Sequence, residues 1–422
     1  MYALVDCNNF FASCEQVFDP TLRKKPLLIL SRNDGCVIAR SREAKALGIA
    51  MGAPFFTCRD AILRHKIAVR SSNFALYADM SQRVMQTLLT FSLAMEIYSV
   101  DEAFLHDKII SCDLGSQIRA QVIRWTGIPV SVGIGKTKTL AKLAIEQAKK
   151  GCGVFALDES NTEAVLKSTP IDAIWGIGGK SALKLRSASI YSAYDLICQD
   201  NGRIQKLLSV AGLKTALELR GQDCFTIDEH STDKTKSILC SRSFSNELAT
   251  PDALKEALAY FCEEASVKLR RQKQKCSLVQ IFISSNRFKE NFYFNTATEA
   301  LPVSTAYTPE ITERAHKALK SIYQPGYTYK RCGVLLSGFS EADICQRDLF
   351  ASDSDGQKKE QAMQALDEIN RKSGKRALFF AVAGTEVSNR AANLWRSPNY
   401  TTCWEDLIRA GSGWKVKDKS RS

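Results

Sequence analysis

Three acidic residues stand where acids are costly. Asp6 closes the apolar stretch Tyr2-Ala3-Leu4-Val5, and Asp101-Glu102 closes a second run, Met95 to Val100; each run reads as a buried strand. A carboxylate delivered by a buried strand needs a counter-charge, and a bound cation is a natural supplier. Two Mg²⁺ ions about 4 Å apart, held by three carboxylates, ease attack by a 3′-hydroxyl and stabilise a leaving pyrophosphate. By residue type alone, the same acids could instead cap helices or pair with lysines.

The elements that would position these acids alternate along the chain. Strands are expected at residues 2–6 and 27–31 with a helical stretch from Asn9 to Phe18 between them, and a short helix follows Ser41. A helix from Asn73 to Leu89 leads to the strand bearing Asp101, and a strand from Pro129 to Ile134 runs through Gly135 into a helix from Thr137 to Lys149. That helix is expected to send Lys142 and Lys149 outward. Such alternation indicates an α+β layered domain. From Thr169 to Gly221 short helices joined by glycine turns take over, and a second α+β unit starts near Ser237. Beyond Ser340 a polar linker precedes a tail carrying Phe379, Phe380, Trp395, Tyr400 and Trp404.

With 422 residues, two to four domains are expected. The formal charge of +13 favours a polyanionic partner, since neutralising phosphates releases condensed counterions. Residues 234–333 carry 16 Lys and Arg against 9 Asp and Glu, which concentrates the excess there. Fourteen cysteines are scattered singly from Cys7 to Cys403, with no C-x-x-C and four histidines, so reduced thiols are expected rather than zinc sites or disulfides. The start, MYALVDCNNF, does not read as a basic segment followed by an apolar stretch, so no secretory leader is expected, and no apolar run approaches the roughly 18 residues of a membrane span. A cytoplasmic location without membrane contact is the expectation.

Two glycine-lysine pairs look like phosphate loops and are not. A Walker A loop needs a glycine five residues before its Gly-Lys; Gly135-Lys136-Thr137 has Val130 there, and Gly179-Lys180-Ser181 has Ile174. The second pair belongs instead to Ile174-Trp175-Gly176-Ile177-Gly178-Gly179-Lys180, which resembles a helix-hairpin-helix. Gly176, Gly178 and Lys180 would there bind a DNA phosphate without reading sequence.

The stretch Asp6-Cys7-Asn8-Asn9-Phe10-Phe11-Ala12-Ser13-Cys14-Glu15 and the stretch Tyr98-Ser99-Val100-Asp101-Glu102-Ala103-Phe104 resemble the two carboxylate motifs of Y-family DNA polymerases. Asn33 to Arg40, Glu43 to Gly48, Ser71 to Asn73, Leu76 to Ser81 and Cys240 to Phe244 resemble the UmuC branch of that family rather than the DinB branch. The resemblance implies an α+β multidomain, right-handed polymerase: palm 1–20 and 70–165, fingers 21–69, a helical thumb 166–232 with the helix-hairpin-helix, and an α+β little finger 233–340 that grips DNA. Residues 341–422 would be a linker with a clamp-binding peptide and a tail.

It further implies that Asp6, Asp101 and Glu102 are catalytic and hold two Mg²⁺ ions, with the Cys7 carbonyl as an additional ligand. Phe10 and Phe11 would meet the nucleotide, Phe11 as the flat ring that excludes a ribose 2′-hydroxyl. Lys149, Lys45 and Arg42 would bind the triphosphate. The implied activity is error-prone translesion synthesis in the SOS damage response, on primer-template DNA with deoxynucleoside triphosphates, in a bacterial, nucleoid-associated setting. Gln346-Arg347-Asp348-Leu349-Phe350 resembles the peptide by which bacterial polymerases dock on the sliding clamp, with Gln346, Leu349 and Phe350 as anchors. A processed UmuD-like dimer and the recombinase filament are further implied partners. The competing reading is a non-catalytic DNA- and clamp-binding scaffold.

Overall fold

The computed structural model describes residues 1–91, 93–227, 235–341, 353–374, 376–384 and 393–407. The chain forms two compact units, Met1–Ser231 with Ala392–Ser422, and Thr232–Ala391. The clamp-like peptide with Gln346, Leu349 and Phe350 lies outside the described residues.

The first unit contains β1 (Tyr2–Cys7), β2 (Leu27–Leu30), β3 (Val37–Arg40), β4 (Ala68–Ser71), β5 (Ala94–Ile97), β6 (Glu102–His106), β7 (Val130–Gly135) and β8 (Val154–Ala156). Its helices are α1 (Phe10–Phe18), α2 (Arg42–Ala46), α3 (Arg59–His65), α4 (Phe74–Leu89), α5 (Cys112–Thr126), α6 (Lys138–Lys150), α7 (Thr162–Ser168), α8 (Gly179–Ser187), α9 (Ala193–Ile197) and α10 (Asn201–Leu219).

The main sheet has the order β5-β6-β1-β7-β8, with β1 antiparallel to both neighbours. All six residues of β1 are buried because both faces are covered. Ala3, Val5 and Cys7 join the core with α1, α4 and α5, whereas Tyr2 and Leu4 pack with Phe104 and with Ala141 and Ile145 of α6. The period of two therefore turns Asp6 towards the α6 side. α6 lies unusually close: a Cβ on Gly133 would sit 2.3 Å from the Ile145 nitrogen, and one on Gly135 2.7 Å from that of Ala141. These glycines of β7 are packing residues.

A smaller sheet, β3-β2-β4, has β2 antiparallel to β3 and parallel to β4. Leu28 and Leu30 face a core with Val37, Ala44, Ile49 and Cys58, whereas Leu27 and Ile29 join the core beneath the main sheet. The helices α7 to α10 enclose their own core around Leu166, Leu185, Leu196 and Ala216.

The second unit is an antiparallel sheet, β11-β10-β12-β9, built from β9 (Ser237–Leu248), β10 (Gln274–Ser285), β11 (Phe294–Thr305) and β12 (Tyr329–Glu341). α11 (Pro251–Arg271) and α12 (Thr308–Ile322) pack on it. These strands run well beyond the apolar runs visible in the sequence, since ladder pairing continues where side chains turn polar. Within the expected polar linker stands α13 (Asp353–Ser373), tied down by Arg270 to Asp367 at 2.7 Å and Lys275 to Glu360 at 3.0 Å. The tail aromatics divide between the units: Phe380 donates its N–H to Glu263, whereas Tyr400 stacks on Phe18 at 5.1 Å. Every described cysteine is a free thiol. No helix among the described residues is long and apolar enough to cross a membrane.

Candidate active site

β1 runs into α1 through a tight turn in which Asn9 takes a left-handed conformation, φ 49°, one that asparagine tolerates. Ser13 Oγ closes the turn by donating to the Asn8 carbonyl at 2.7 Å, and the Asn8 N–H donates to Pro129 C=O at 2.8 Å. Asp6 is thereby fixed opposite Glu102 on β6 and Ser131 on β7.

Asp101 and Glu102 do not end a strand, as the sequence suggested. β5 stops at Ile97, Asp101 sits in the hairpin loop, and Glu102 opens β6. Ser99 causes the break: its Oγ donates to Asp101 Oδ1 at 2.7 Å and accepts the Asp101 N–H at 3.3 Å, a local bond that competes with the ladder. The Cys7 N–H donates to the Asp101 carbonyl at 2.9 Å, pinning the loop on the end of β1.

α6, whose N-cap Thr137 accepts the Leu140 N–H, places a row of lysines over the acids. Lys138, Lys142 and Lys149 share one helical face. Lys138 pairs with Glu96 of β5 at 2.6 Å, Lys142 with Glu102 of β6 at 2.7 Å, and Lys149 with Asp6 of β1 at 2.9 Å. Neither Lys142 nor Lys149 simply points outward. Lys142, 14% exposed, lies over the Tyr98 ring at 4.5 Å and near Phe104 and Trp175, while Lys149 is 34% exposed and also meets Glu146 at 3.2 Å.

Burial raises the Asp6 carboxyl to about 7; Lys149 opposes the shift and Glu102 adds to it. Burial lowers the Lys149 ammonium, but Asp6 and then Glu146 outweigh it, for a net rise. Burial pushes the Cys7 thiol up, and the charges of Asp6, Asp101 and Glu102 push it further, so all three acids bear on one point. An acid that resists ionising beside a bound lysine marks a site short of positive charge. Oxygen donors short of positive charge suit a hard divalent cation. With each acid tied to its own partner, no set of three His, Cys, Asp or Glu ligands converges among the described residues, so binding an ion requires the lysine pairs to give way.

Phe11 is half-buried on α1. Its ring stacks on Tyr77 of α4, centroids 4.5 Å apart and 14° from parallel, and meets Phe74 edge-on at 5.8 Å. Phe10 is buried beneath it, 3% exposed, so its ring belongs to the core. Arg42 and Lys45 are exposed on α2, which is capped by Ser41.

In the helix-hairpin-helix, Gly176 has φ +87°, and a Cβ at Gly178 or Gly179 would meet nothing within 4 Å. No side chain caps the start of α8, and Gly176, Gly178 and Lys180 are exposed. Ser189 takes the left-handed position (φ 63°), and Ile190 after it is buried. The Trp175 indole N–H donates to Tyr98 Oη at 3.0 Å, joining this motif to the acid loop. Lys138 was not singled out from the sequence and Lys142 was expected only to face outward, although their i, i+4, i+11 spacing with Lys149 was visible.

The impB/mucB/samB family matches residues 5–146, its C-terminal domain matches 235–349, and a domain of unknown function matches 360–410. Protein ImpB of Salmonella typhimurium is 41% identical, with 98% of this chain and all of that protein covered. Protein UmuC of Salmonella typhimurium (strain LT2) is 38% identical over 97% of this chain and all of that protein. DNA polymerase IV of Caulobacter vibrioides is 26% identical over 92% of this chain and 94% of that protein. Among solved structures, a Y-family DNA polymerase chimera superposes with a TM-score of 0.68 at 20% identity, covering 80% of this chain and 98% of that one, a likeness of fold. With the fold of a Y-family DNA polymerase, and with ImpB and UmuC as full-length relatives at this identity, the chain is a member of the impB/mucB/samB family.

Proposed function

We propose that the chain copies damaged DNA by two-metal nucleotidyl transfer, as an error-prone translesion polymerase of the SOS response. The observation that carries the proposal is the register pairing of Asp6 with Glu102 on adjacent central strands, with the Asp101 loop bonded to Cys7. Family membership carries a general dependence on divalent metal. Asp6, Asp101, Glu102 and the Cys7 carbonyl would hold two Mg²⁺ ions, which when bound supply positive charge to the attacking 3′-oxygen and the departing pyrophosphate.

The remaining roles belong to the chain's own side chains. Phe11, backed by Tyr77 and Phe74 and supported by Phe10, excludes a 2′-hydroxyl. Lys149, with Lys45 and Arg42, neutralises the triphosphate. Gly176, Gly178 and Lys180 hold a DNA phosphate at the open start of α8. The second unit offers primer-template DNA a sheet face with Ser241, Ser243, Thr296 and Arg331, the last stacked over Phe282 at 5.0 Å. The divisions proposed are palm 1–20 and 70–165, fingers 21–69, thumb 166–232, little finger 233–340, and a linker and tail thereafter. Gln346, Leu349 and Phe350 would dock on the sliding clamp, and a processed UmuD-like dimer and the recombinase filament would join the enzyme on the nucleoid in the cytoplasm.

Primer extension with Mg²⁺ tests the proposal. Asp101→Asn or Glu102→Gln should abolish extension with DNA binding nearly unchanged, since the phosphate grip lies elsewhere. Extension by either variant at the parent rate sinks the catalytic assignment and leaves the non-catalytic scaffold.

A further inference from the structure

The segment from Leu394 to Asp406 is bound into the first unit by contacts that converge on the two helices carrying the nucleotide floor. The Trp395 N–H donates to Ser71 Oγ at 3.0 Å, and the Ser71 N–H donates to the Trp395 carbonyl at 3.2 Å. Together with the parallel bridge of Ser71 to Arg396, these bonds cover the outer edge of β4. Asn73, the N-cap of α4, donates to Ser397 Oγ at 3.0 Å and accepts from Arg396 at 3.1 Å. Tyr400, 7% exposed, stacks flat on Phe18 at the end of α1.

The innermost contact is polar and fully enclosed. Ser397 Oγ donates to Glu15 Oε1 at 3.0 Å, and Tyr77 Oη donates to the same oxygen at 2.8 Å. Glu15 and Tyr77 are each 1% exposed. A buried carboxylate holds its orientation only through its donors. The same Tyr77 ring is the face against which Phe11 stacks.

We infer that residues 394–406 act as a positioning strap for nucleotide selection: Ser397 fixes Glu15, Glu15 fixes Tyr77, and Tyr77 sets the tilt of Phe11 beneath the incoming sugar. This rests on the reading of Phe11 as the ring that senses the sugar. Ser397, Glu15 and Tyr77 touch no substrate; they act through Phe11. Without the Ser397 hydroxyl, Glu15 Oε1 keeps a single donor, the Tyr77 hydroxyl loses its fixed acceptor, and the Phe11 ring gains room to yield to a 2′-hydroxyl.

The test uses the full chain on an undamaged primer-template, comparing kcat/KM for insertion of ATP and dATP. Ser397→Ala and Tyr77→Phe should each raise the ribo-to-deoxy ratio by about threefold or more, through KM for ATP, as befits the loss of one enclosed hydrogen bond. Their double variant should show no more than the larger single effect, because both cut one chain of contacts. Ser397→Thr keeps the hydroxyl and should keep the parent ratio. If Ser397→Ala does not fold, Tyr77→Phe alone against the parent decides, since its ring is retained. Parent-like ratios for Ser397→Ala and Tyr77→Phe, with Phe11→Ala raising the ratio, overturn the strap and spare the reading of Phe11. Additive effects in the double variant overturn the route through Glu15. An unchanged ratio in Phe11→Ala removes the reading of Phe11 itself, and the strap with it.

Discussion

Removing the Phe11 ring is the perturbation whose size the structure sets most directly. To admit a ribose 2′-hydroxyl, the ring must leave its stack on Tyr77 at 4.5 Å and its edge contact with Phe74 at 5.8 Å. Aromatic pairs of this kind are worth roughly 0.5 to 1.5 kcal/mol each, so displacing the ring costs about 1 to 3 kcal/mol. At 1.36 kcal/mol per factor of ten, that supports a discrimination of about 5- to 150-fold. Phe11→Ala should therefore raise the ratio of ribonucleotide to deoxynucleotide kcat/KM by a factor in that range. Most of the gain should lie in KM for the ribonucleotide, because the metal-binding acids are untouched. Single-nucleotide insertion under steady-state conditions measures both terms. A variant that still extends primers but keeps the parent ratio would show that Phe11 is a core residue and no more.

Three other outcomes are expected. Leu349→Ala with Phe350→Ala should weaken sliding-clamp binding at least about tenfold, each anchor being worth roughly 1.5 to 3 kcal/mol when enclosed; equal affinity by surface binding returns the peptide to the role of a linker. Gly133→Ala forces a Cβ to within 2.3 Å of the Ile145 nitrogen. Overpacking of this kind typically costs about 1 to 3 kcal/mol, so the melting temperature should drop and extension should fall as α6 shifts; an unchanged melting temperature contradicts the close packing. Asp6 is raised from 3.8 to about 7 mainly by burial, so its contribution to stability is present below about pH 3.8 and is lost as pH rises through about 7. In EDTA, the melting temperature of the parent relative to Asp6→Asn should fall across that window, and Mg²⁺ should restore it at pH 8; a relative rise in EDTA contradicts the raised carboxyl.

The sequence disclosed most of the fold wherever one residue type had a single use. Asn73, Ser41 and Thr137 cap the helices that follow them. The acids proved harder to place. Asp101 looked like a strand end because the apolar run reaches Val100, yet the Ser99 hydroxyl bonds locally and turns the chain three residues earlier. Lys142 and Lys149 of α6 were expected to face outward, and their pairing with acids was not legible because the partners lie on strands distant in sequence. Glu15 gave no sign of its burial: a glutamate in an amphipathic stretch normally faces water, and Ser397, which encloses it, is 382 residues away. α13 was missed because its apolar content is low and salt bridges hold it.

The order of the three ion pairs bears on how the site would come into use. Glu96, Glu102 and Asp6 lie on β5, β6 and β1 in spatial order, and α6 answers each with a lysine. Lys138 is 4% exposed and also donates to the Thr226 carbonyl at 2.9 Å, so moving it would strand a buried ammonium. Lys142 is enclosed by the rings of Tyr98, Phe104 and Trp175. Lys149 alone of the three is a third exposed, and it has Glu146 as a second partner at the helix surface. It is the lysine that can change partners at least cost, since its side chain is the most exposed of the three. A triphosphate arriving beside it would take the charge that Asp6 holds in this structure. The proposed role of Lys149 in binding nucleotide and its observed pairing with Asp6 are then two positions of one side chain, while the buried pair of Lys138 with Glu96 keeps α6 in register with the sheet.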